Sequence, residues 1–366
     1  MKRIRFIMLG GFLGAGKTTA IARLARHFVA AGKNVGLVTN DQAYRLVDTE
    51  SLRAQGFRVG EVTGACFCCK FNDLVETVER LSADQQPDVI IAEPVGSCTD
   101  LAATVIEPLR HLHAGEFDVA PLAVLLKPDH GRKILCGEGG LGFSPKAAYI
   151  FLTQLEEADV VVLNKIDQLD AAAREQLLRQ VRERYPEKQV LALSARRGDG
   201  FDALIAALES AGPRQSRTPD VDYDVYAEGE AELGWLNCRV EVQGVGRSFA
   251  LDDALVALVE RLGRACRAAS AEPAHLKILA ASEGATAIAN LVSSDAAVEL
   301  SLASGATVDR AELTINARIA VAPEVLSDLV EREVAAWANE RRLSQSIDNL
   351  QSFRPGRPVP THRMRR

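Results

Sequence analysis

One octapeptide decides most of what this chain can fold into: Gly11-Phe12-Leu13-Gly14-Ala15-Gly16-Lys17-Thr18. Its spacing is that of a phosphate loop, G-x-x-x-x-G-K-[ST]. The apolar run from Ile4 to Leu9 reads as a buried strand and Thr18 to Ala30 as a helix, so the motif sits at the strand-to-helix turn such a loop requires. Backbone N–H groups of Gly14, Ala15 and Gly16, with the helix N-terminus, can surround a β-phosphate once Gly11 has turned the chain. Lys17 can reach the β- and γ-phosphates and the Thr18 hydroxyl can ligate Mg²⁺, with Thr19 completing the nucleotide-binding set. An ordinary glycine-rich turn is the competing reading; the flanking strand and helix favour the phosphate loop.

Short apolar runs then alternate with amphipathic segments. Strands are expected over Asn34–Thr39, Phe57–Val62, Asp88–Ala92, Ala120–Leu126, Val160–Leu163 and Gln189–Leu193. From Phe71, the apolar residues Leu74, Val75, Val78 and Leu81 mark one face of a helix. This alternation predicts an α/β fold of the P-loop NTPase type, with a mainly parallel, doubly wound sheet. With 366 residues the chain has room for two domains. A linker composition at Gly212–Asp222 places the boundary, giving a nucleotide domain over 1–212 and a smaller α+β domain over 222–343. In the second, strands are expected at Trp235–Val242, Leu276–Ala280, Thr286–Val292, Val298–Leu302 and Glu312–Ala320. Helices are expected at Leu251–Ala268 and from Pro323 to Arg341. Residues 344–366, whose last part from Arg354 is rich in Pro and Arg and lacks acids, are expected as a basic, disordered tail.

The formal net charge of -6 argues against a general nucleic-acid coat, and 5% aromatic residues leave little for a base-stacking surface. No apolar stretch has the length of a membrane span, and the short run at the N-terminus feeds a nucleotide loop rather than a cleavage site. A cytoplasmic protein is the expectation. There, seven cysteines are not expected to form a disulfide framework, so clustered ones point to metal or redox chemistry.

Asn164-Lys165-Ile166-Asp167 follows the apolar run Val160–Leu163. The Asp167 carboxylate can accept from N1–H and the 2-amino group of guanine, a pairing adenine does not offer, and an acceptor left unpaired by the wrong base discriminates strongly. Ser194-Ala195-Arg196 follows the next strand, where a loop can back the guanine. Asp88-Val-Ile-Ile-Ala-Glu93-Pro-Val-Gly96 is a strand ending in an acid, with glycine three residues on. Glu93 fits the place of a Mg²⁺-holding carboxylate and Gly96 that of a γ-phosphate sensor; capping the next element is the plainer alternative for Glu93. Asn40 to Asp48 lies where a nucleotide-sensitive switch belongs, with Asp41 either a Mg²⁺ contact or an exposed acid.

Cys66-Phe67-Cys68-Cys69 packs three thiols into four residues, between a strand and the Phe71 helix. Such density suits Zn²⁺ or another thiophilic ion, against the alternative of buried small hydrophobes. Cys98, just after Gly96, is either buried filler or a further ligand or thiol partner. His111 and His113 form the only close histidine pair and read as surface residues. The GGFLGAGKTT loop, C-x-C-C, the Glu93–Gly96 ExxG and QLEEADVVVLNKID together resemble the CobW-type GTPases, relatives of the urease and hydrogenase nickel-insertion GTPases. The motifs cover about the first 210 residues. Three features depart from the common pattern: Asn40-Asp41-Gln42-Ala43-Tyr44, the Gly64-Ala65 pair before the first cysteine, and the absence of a histidine-rich tract.

The resemblance implies a metallochaperone-like GTPase that binds metal, Zn²⁺ or Co²⁺, at Cys66, Cys68 and Cys69 and passes it to a client metalloprotein or a cobalamin pathway. GTP and Mg²⁺ are the expected cofactors, with Lys17 and Mg²⁺ stabilising the transferring phosphoryl group and Thr18 and Glu93 holding the ion. No side chain stands out to orient water, so slow turnover is expected, stimulated by metal, homodimerisation or client. The alternative is a GTP-gated chaperone of a corrinoid or metal enzyme with no metal transfer of its own. A P-loop kinase is a third reading, disfavoured by N-K-x-D.

Overall fold

A computed structural model describes residues 3–41, 47–137, 144–210, 218–294 and 296–364. The chain divides into two compact units. The first comprises Met1–Tyr44, Gly56–Gly229 and Arg357–Arg366; the second comprises Arg45–Gln55 and Glu230–Gly356. None of the described helices is long and apolar enough to cross a membrane.

The first unit holds β1 (Ile4–Gly11), β2 (Val35–Asp41), β3 (Val59–Thr63), β4 (Val89–Glu93), β5 (Phe117–Val119), β6 (Ala123–Leu126), β7 (Val160–Leu163) and β8 (Gln189–Ala192). They form one sheet in the order β3-β2-β4-β1-β6-β7-β8, with β5 pairing β1, and every pairing is parallel. Strands β4, β6 and β7 are buried along their whole length, as expected when helices cover both faces. The run expected as one strand over Ala120–Leu126 begins only at Ala123, because Pro121 has no N–H to give a ladder. The sheet grows away from β1 in both directions, through β4 on one side and β6 on the other. That reversal opens a crevice at the carboxyl ends of the strands. The phosphate loop, the ExxG loop and the N-K-x-D loop all leave from those ends.

The second unit is α+β. Strands β9 (Gly234–Gly244), β11 (Pro273–Ser282), β12 (Ala285–Leu291), β13 (Glu299–Leu302), β15 (Arg310–Ile319) and β16 (Leu343–Phe353) form an antiparallel sheet in the order β13-β12-β11-β15-β9-β16. A separate pair joins β10 (Phe249–Ala250) to β14 (Thr307–Val308). Helices Leu251–Ala268 and Pro323–Arg341 pack their apolar stripes on the large sheet. Trp337 Nε1 donates to the Ala254 carbonyl at 3.1 Å, tying the two helices together.

Of Asn40–Asp48, read as a switch, residues 42–46 lie outside the described residues, and Val47 and Asp48 open helix Val47–Ala54, which packs within the second unit: Val47 is fully buried against Leu279 and Ile288, its N–H donates to Asn316 Oδ1 at 2.9 Å, and Asp48 pairs with Lys277. The stretch 344–366, expected as a disordered tail, forms β16 alongside β9 and then folds onto the first unit. Composition could not reveal this, since a backbone ladder needs no particular side chains and Arg357 and Arg363 find their acids far away in sequence. Of the expected linker, residues 211–217 lie outside the described residues, and the first unit continues to Gly229.

Candidate nucleotide and metal site

The phosphate loop turns out of β1 through glycines that could not be replaced. Gly11 has φ 137°, and a Cβ there would meet the Leu125 carbonyl at 2.4 Å. Gly16 has φ 90°, and a Cβ there would strike Asn164 Nδ2 at 2.5 Å. Gly16 caps helix Lys17–Ala30, which carries no carboxylate of its own in its first turn, and the helix's positive end faces the loop. Lys17 is buried and its Nζ donates to the Gly11 carbonyl at 2.9 Å. Ala15 N–H closes a turn on the Phe12 carbonyl at 3.1 Å, so one of the three amides expected to cradle phosphate is engaged within the loop itself. Thr19 is exposed on the first turn of the helix.

Thr18 Oγ1 donates to Glu93 Oε1 at 2.9 Å, bringing together the two expected Mg²⁺ contacts. Glu93 ends β4 beside β1, and Gly96 packs so tightly on the phosphate loop that a Cβ there would approach the Leu13 backbone nitrogen to 3.1 Å. A hydroxyl and a carboxylate at a helix N-terminus are the hard oxygen donors that Mg²⁺ takes. Asp41 closes β2, and its side chain lies outside the described residues.

On the base side, Asn164 is fully buried and acts as a strut. Its Nδ2 donates to the Ala15 carbonyl at 2.8 Å, and its Oδ1 accepts from Ala195 N–H at 3.0 Å. Lys165 adopts a left-handed conformation at φ 60°, turning the chain into the short helical turn Ile166–Gln168. Within that turn, Asp167 Oδ1 is buried with no hydrogen-bond partner among the described residues. A buried acceptor without a donor costs on the order of 1–3 kcal/mol, and guanine's N1–H and amino group are donors of the required kind. Ser194 Oγ accepts from Arg197 N–H at 3.0 Å, which shapes the backing loop.

The three thiols converge. Cys66 Sγ lies 2.7 Å from Cys68 Sγ and 3.4 Å from Cys69 Sγ, the Cys68–Cys69 separation is 3.8 Å, and all three sulfurs fall within 4.8 Å. Asn40, at the end of β2, builds their loop: its Nδ2 donates to the carbonyls of Val62 and Ala65, and its Oδ1 accepts from Phe67 N–H at 2.8 Å. Hydrogen bonds with Cys68, Cys69 and Cys98 hold the Cys66 pKa well below its ordinary value. The bonds to Cys66, with burial, raise Cys68 and push Cys69 up to about 11. Converging thiols give up their protons when a soft cation binds them.

Several contributing residues were given no role of their own by the sequence, although Gln154 and Glu157 stand in QLEEADVVVLNKID. Arg23 clamps the backing loop, donating to the carbonyls of Ala195 at 2.8 Å and Arg196 at 2.9 Å. Gln154 Nε2 holds the ExxG loop through the carbonyls of Gly96 at 3.0 Å and Cys98 at 2.7 Å. Buried Glu157 accepts from Ala102 N–H at 2.9 Å and from the Thr99 hydroxyl. The C-terminal segment lies across the thiols: Val359 N–H donates to Cys69 Sγ at 3.2 Å, and Thr361 bonds the carbonyls of Cys68 and Cys69. Arg363 anchors it on fully buried Asp100 at 2.7 Å, and Arg357 on Asp224 at 2.6 Å. His111 is exposed, whereas His113 is partly covered beside Phe71 and Phe117.

The family model described as CobW/HypB/UreG, nucleotide-binding domain, matches residues 5–192, a span that contains the phosphate loop, the C-x-C-C cluster, ExxG and N-K-x-D and ends just before Ser194-Ala195-Arg196. The chain belongs to this family. Among similar proteins of the CobW type, the zinc chaperone CobW of a Sinorhizobium species is 27% identical over 235 residues, 56% of this chain and 63% of that protein. The zinc chaperone YeiR of Escherichia coli K12 is 29% identical over 192 residues, 50% of this chain and 53% of the other. The chain thus spans less than two thirds of the length of either relative. Among solved structures, HypB of Helicobacter pylori in complex with nickel overlaps weakly, with a TM-score of 0.41 at 17% identity over 58% of this chain and 92% of that one. The CobW/HypB/UreG match ends near β8, so the antiparallel sheet lies beyond it.

Proposed function

We propose that this CobW/HypB/UreG member is a Mg²⁺-dependent GTPase that couples GTP binding and hydrolysis to zinc or cobalt binding at Cys66, Cys68 and Cys69, and to metal delivery to a client metalloprotein. The nucleotide chemistry is assigned to residues 1–212, and the α+β unit from Glu230 is a separate module. The observation that carries the reading is the placement of three converging thiols on the loop after β3, braced from β2, with Glu93 on β4 already bonded to Thr18. Neighbouring strands therefore carry the soft metal site and the Mg²⁺ site. The orphaned carboxylate oxygen of Asp167 supports guanine as the base. The names of the zinc chaperone relatives support metal as cargo.

In this reading Lys17 and the helix N-terminus neutralise charge on the transferring phosphoryl group, while Thr18 and Glu93 hold the ion. The γ-phosphate orders the loop through Gly96, and the thiols sense that order through the same loop. Differential metal affinity in the two nucleotide states then drives loading and release. The test is to titrate Zn²⁺ and Co²⁺ into the protein with bound GTP and with bound GDP. Unequal affinities, with metal-dependent GTPase rates abolished in a Cys66/Cys68/Cys69 triple Ala variant, support the reading. Equal affinities and unchanged rates refute metal transfer.

A further inference from the structure

We propose that residues 357–364 are a latch tying the thiol loop to the loop after Gly96, so that the nucleotide state sets how freely metal enters and leaves at Cys69. This rests on the metal reading above and deepens it. The latch is stiff by sequence: in Arg357-Pro358-Val359-Pro360-Thr361 each proline fixes its own φ and restricts the residue before it to an extended backbone. Val359 supplies the one N–H of Pro358-Val359-Pro360, and that donor goes to Cys69 Sγ at 3.2 Å. Thr361 grips the same loop twice, its N–H on the Cys68 carbonyl at 2.8 Å and its hydroxyl on the Cys69 carbonyl at 3.0 Å. His362 sets its ring edge-on to Phe71, which opens helix Phe71–Gln85 just after the thiols. Cys66 and Cys68 are buried and Cys69 is not, so the latch crosses the cluster where solvent reaches it.

The far end of the latch holds the other loop. Arg363 Nε donates to Asp100 Oδ2 at 2.7 Å and its Nη2 to the Pro219 carbonyl at 2.8 Å, while Met364 N–H donates to the Ala103 carbonyl at 2.9 Å. Asp100 is fully buried, has a left-handed backbone at φ 65° and also accepts from the Tyr223 hydroxyl at 2.6 Å, so its carboxylate is fixed from two sides. It stands four residues after Gly96, the glycine packed on the phosphate loop. Consecutive contacts therefore run from the phosphate loop through Gly96, Asp100, Arg363 and Thr361 to Cys69. A γ-phosphate that draws on Gly96 shifts Asp100, and the ion pair passes the shift to a segment too stiff to absorb it. Latched, the segment hinders traffic at Cys69. Unlatched, it leaves that sulfur open to a chelator or to a client's ligand.

Hydrogen–deuterium exchange of the metal-free, full-length protein, with GDP and with a non-hydrolysable GTP analogue, reads the latch itself. Exchange in the peptide carrying Val359, Thr361 and Met364 is expected to differ several-fold between the two states. Transfer of Zn²⁺ from the loaded protein to a chromophoric chelator reads access. Its rate is expected to depend on the nucleotide in the wild type. In Arg357→Ala/Arg363→Ala, which removes both ion pairs of the latch, the rate is expected to rise about tenfold and lose that dependence. Arg363→Lys, which keeps the charge, is expected to fall between the two. GTP binding by the same samples verifies that the variants are folded. Latch exchange identical with both nucleotides, or transfer from the double variant at the wild-type rate, overturns the proposal and leaves the three-cysteine site standing. No zinc at the thiols of the wild type overturns both.

Discussion

Asp167 and Asn164 stand three residues apart in one motif, yet the structure gives them opposite work. Asp167 presents a buried oxygen without a hydrogen-bond partner among the described residues, a place for a ligand's donor. Asn164 is already saturated, spanning from the phosphate loop to the backing loop. Asp167→Asn replaces an acceptor by a donor. GTP affinity is expected to fall at least tenfold, while xanthosine triphosphate, whose 2-oxo group accepts where guanine donates, gains affinity; competition binding with the two nucleotides checks it. Asn164→Ala strands a buried carbonyl and a buried N–H. Its expected signature is about 1–3 kcal/mol of lost stability, read by denaturant unfolding of the nucleotide-free protein.

Helix Pro145–Glu157 governs the loop after β4 from outside every recognisable motif position of that loop. Ser144 caps the helix and Pro145 starts it, so Gln154 and Glu157 arrive at its last turn facing the ExxG segment. Burial raises the Glu157 pKa well above its ordinary 4.5; the nearby charge of Asp100 raises it further, against the pull of the Ala102 N–H. The folded state therefore keeps a proton that the unfolded chain releases. Stability from this group is full below pH 4.5 and is lost as pH rises through the raised folded value. Glu157→Gln keeps the acceptor for Ala102 N–H without the titration. Melting temperature measured against pH is expected to fall less steeply with rising pH in this variant than in the wild type. Parallel curves would show that Glu157 is already ionised in the fold.

At the scale of the whole molecule, the chain's last described residues return to the first unit and cover the thiols, with Val359 bonding a sulfur 290 positions earlier. Arg363→Ala removes the anchor on Asp100. It is expected to raise the rate of Cys69 alkylation several-fold, since one backbone donor to the sulfur is worth about 1 kcal/mol. Mass-spectrometric quantification of iodoacetamide labelling checks this, and an unchanged rate would show the segment held by its other contacts. The nucleotide motifs were legible because each is a contiguous string: Gly11–Thr18, Glu93–Gly96, Asn164–Asp167 and Cys66–Cys69 bring their own spacing to the site. The alternation of apolar runs with helical stripes likewise determined a parallel sheet, since only that layering buries both. Tertiary structure alone decided that Asn40 builds the cysteine loop, that Arg23 clamps Ala195, and that residues 344–364 are a strand and a strap. Each of these rests on hydrogen bonds between groups dozens to hundreds of residues apart, formed mostly with backbone carbonyls and N–H groups. Every residue carries such groups, so no local pattern marks which of them will be used; only the folded register of the strands brings the partners together.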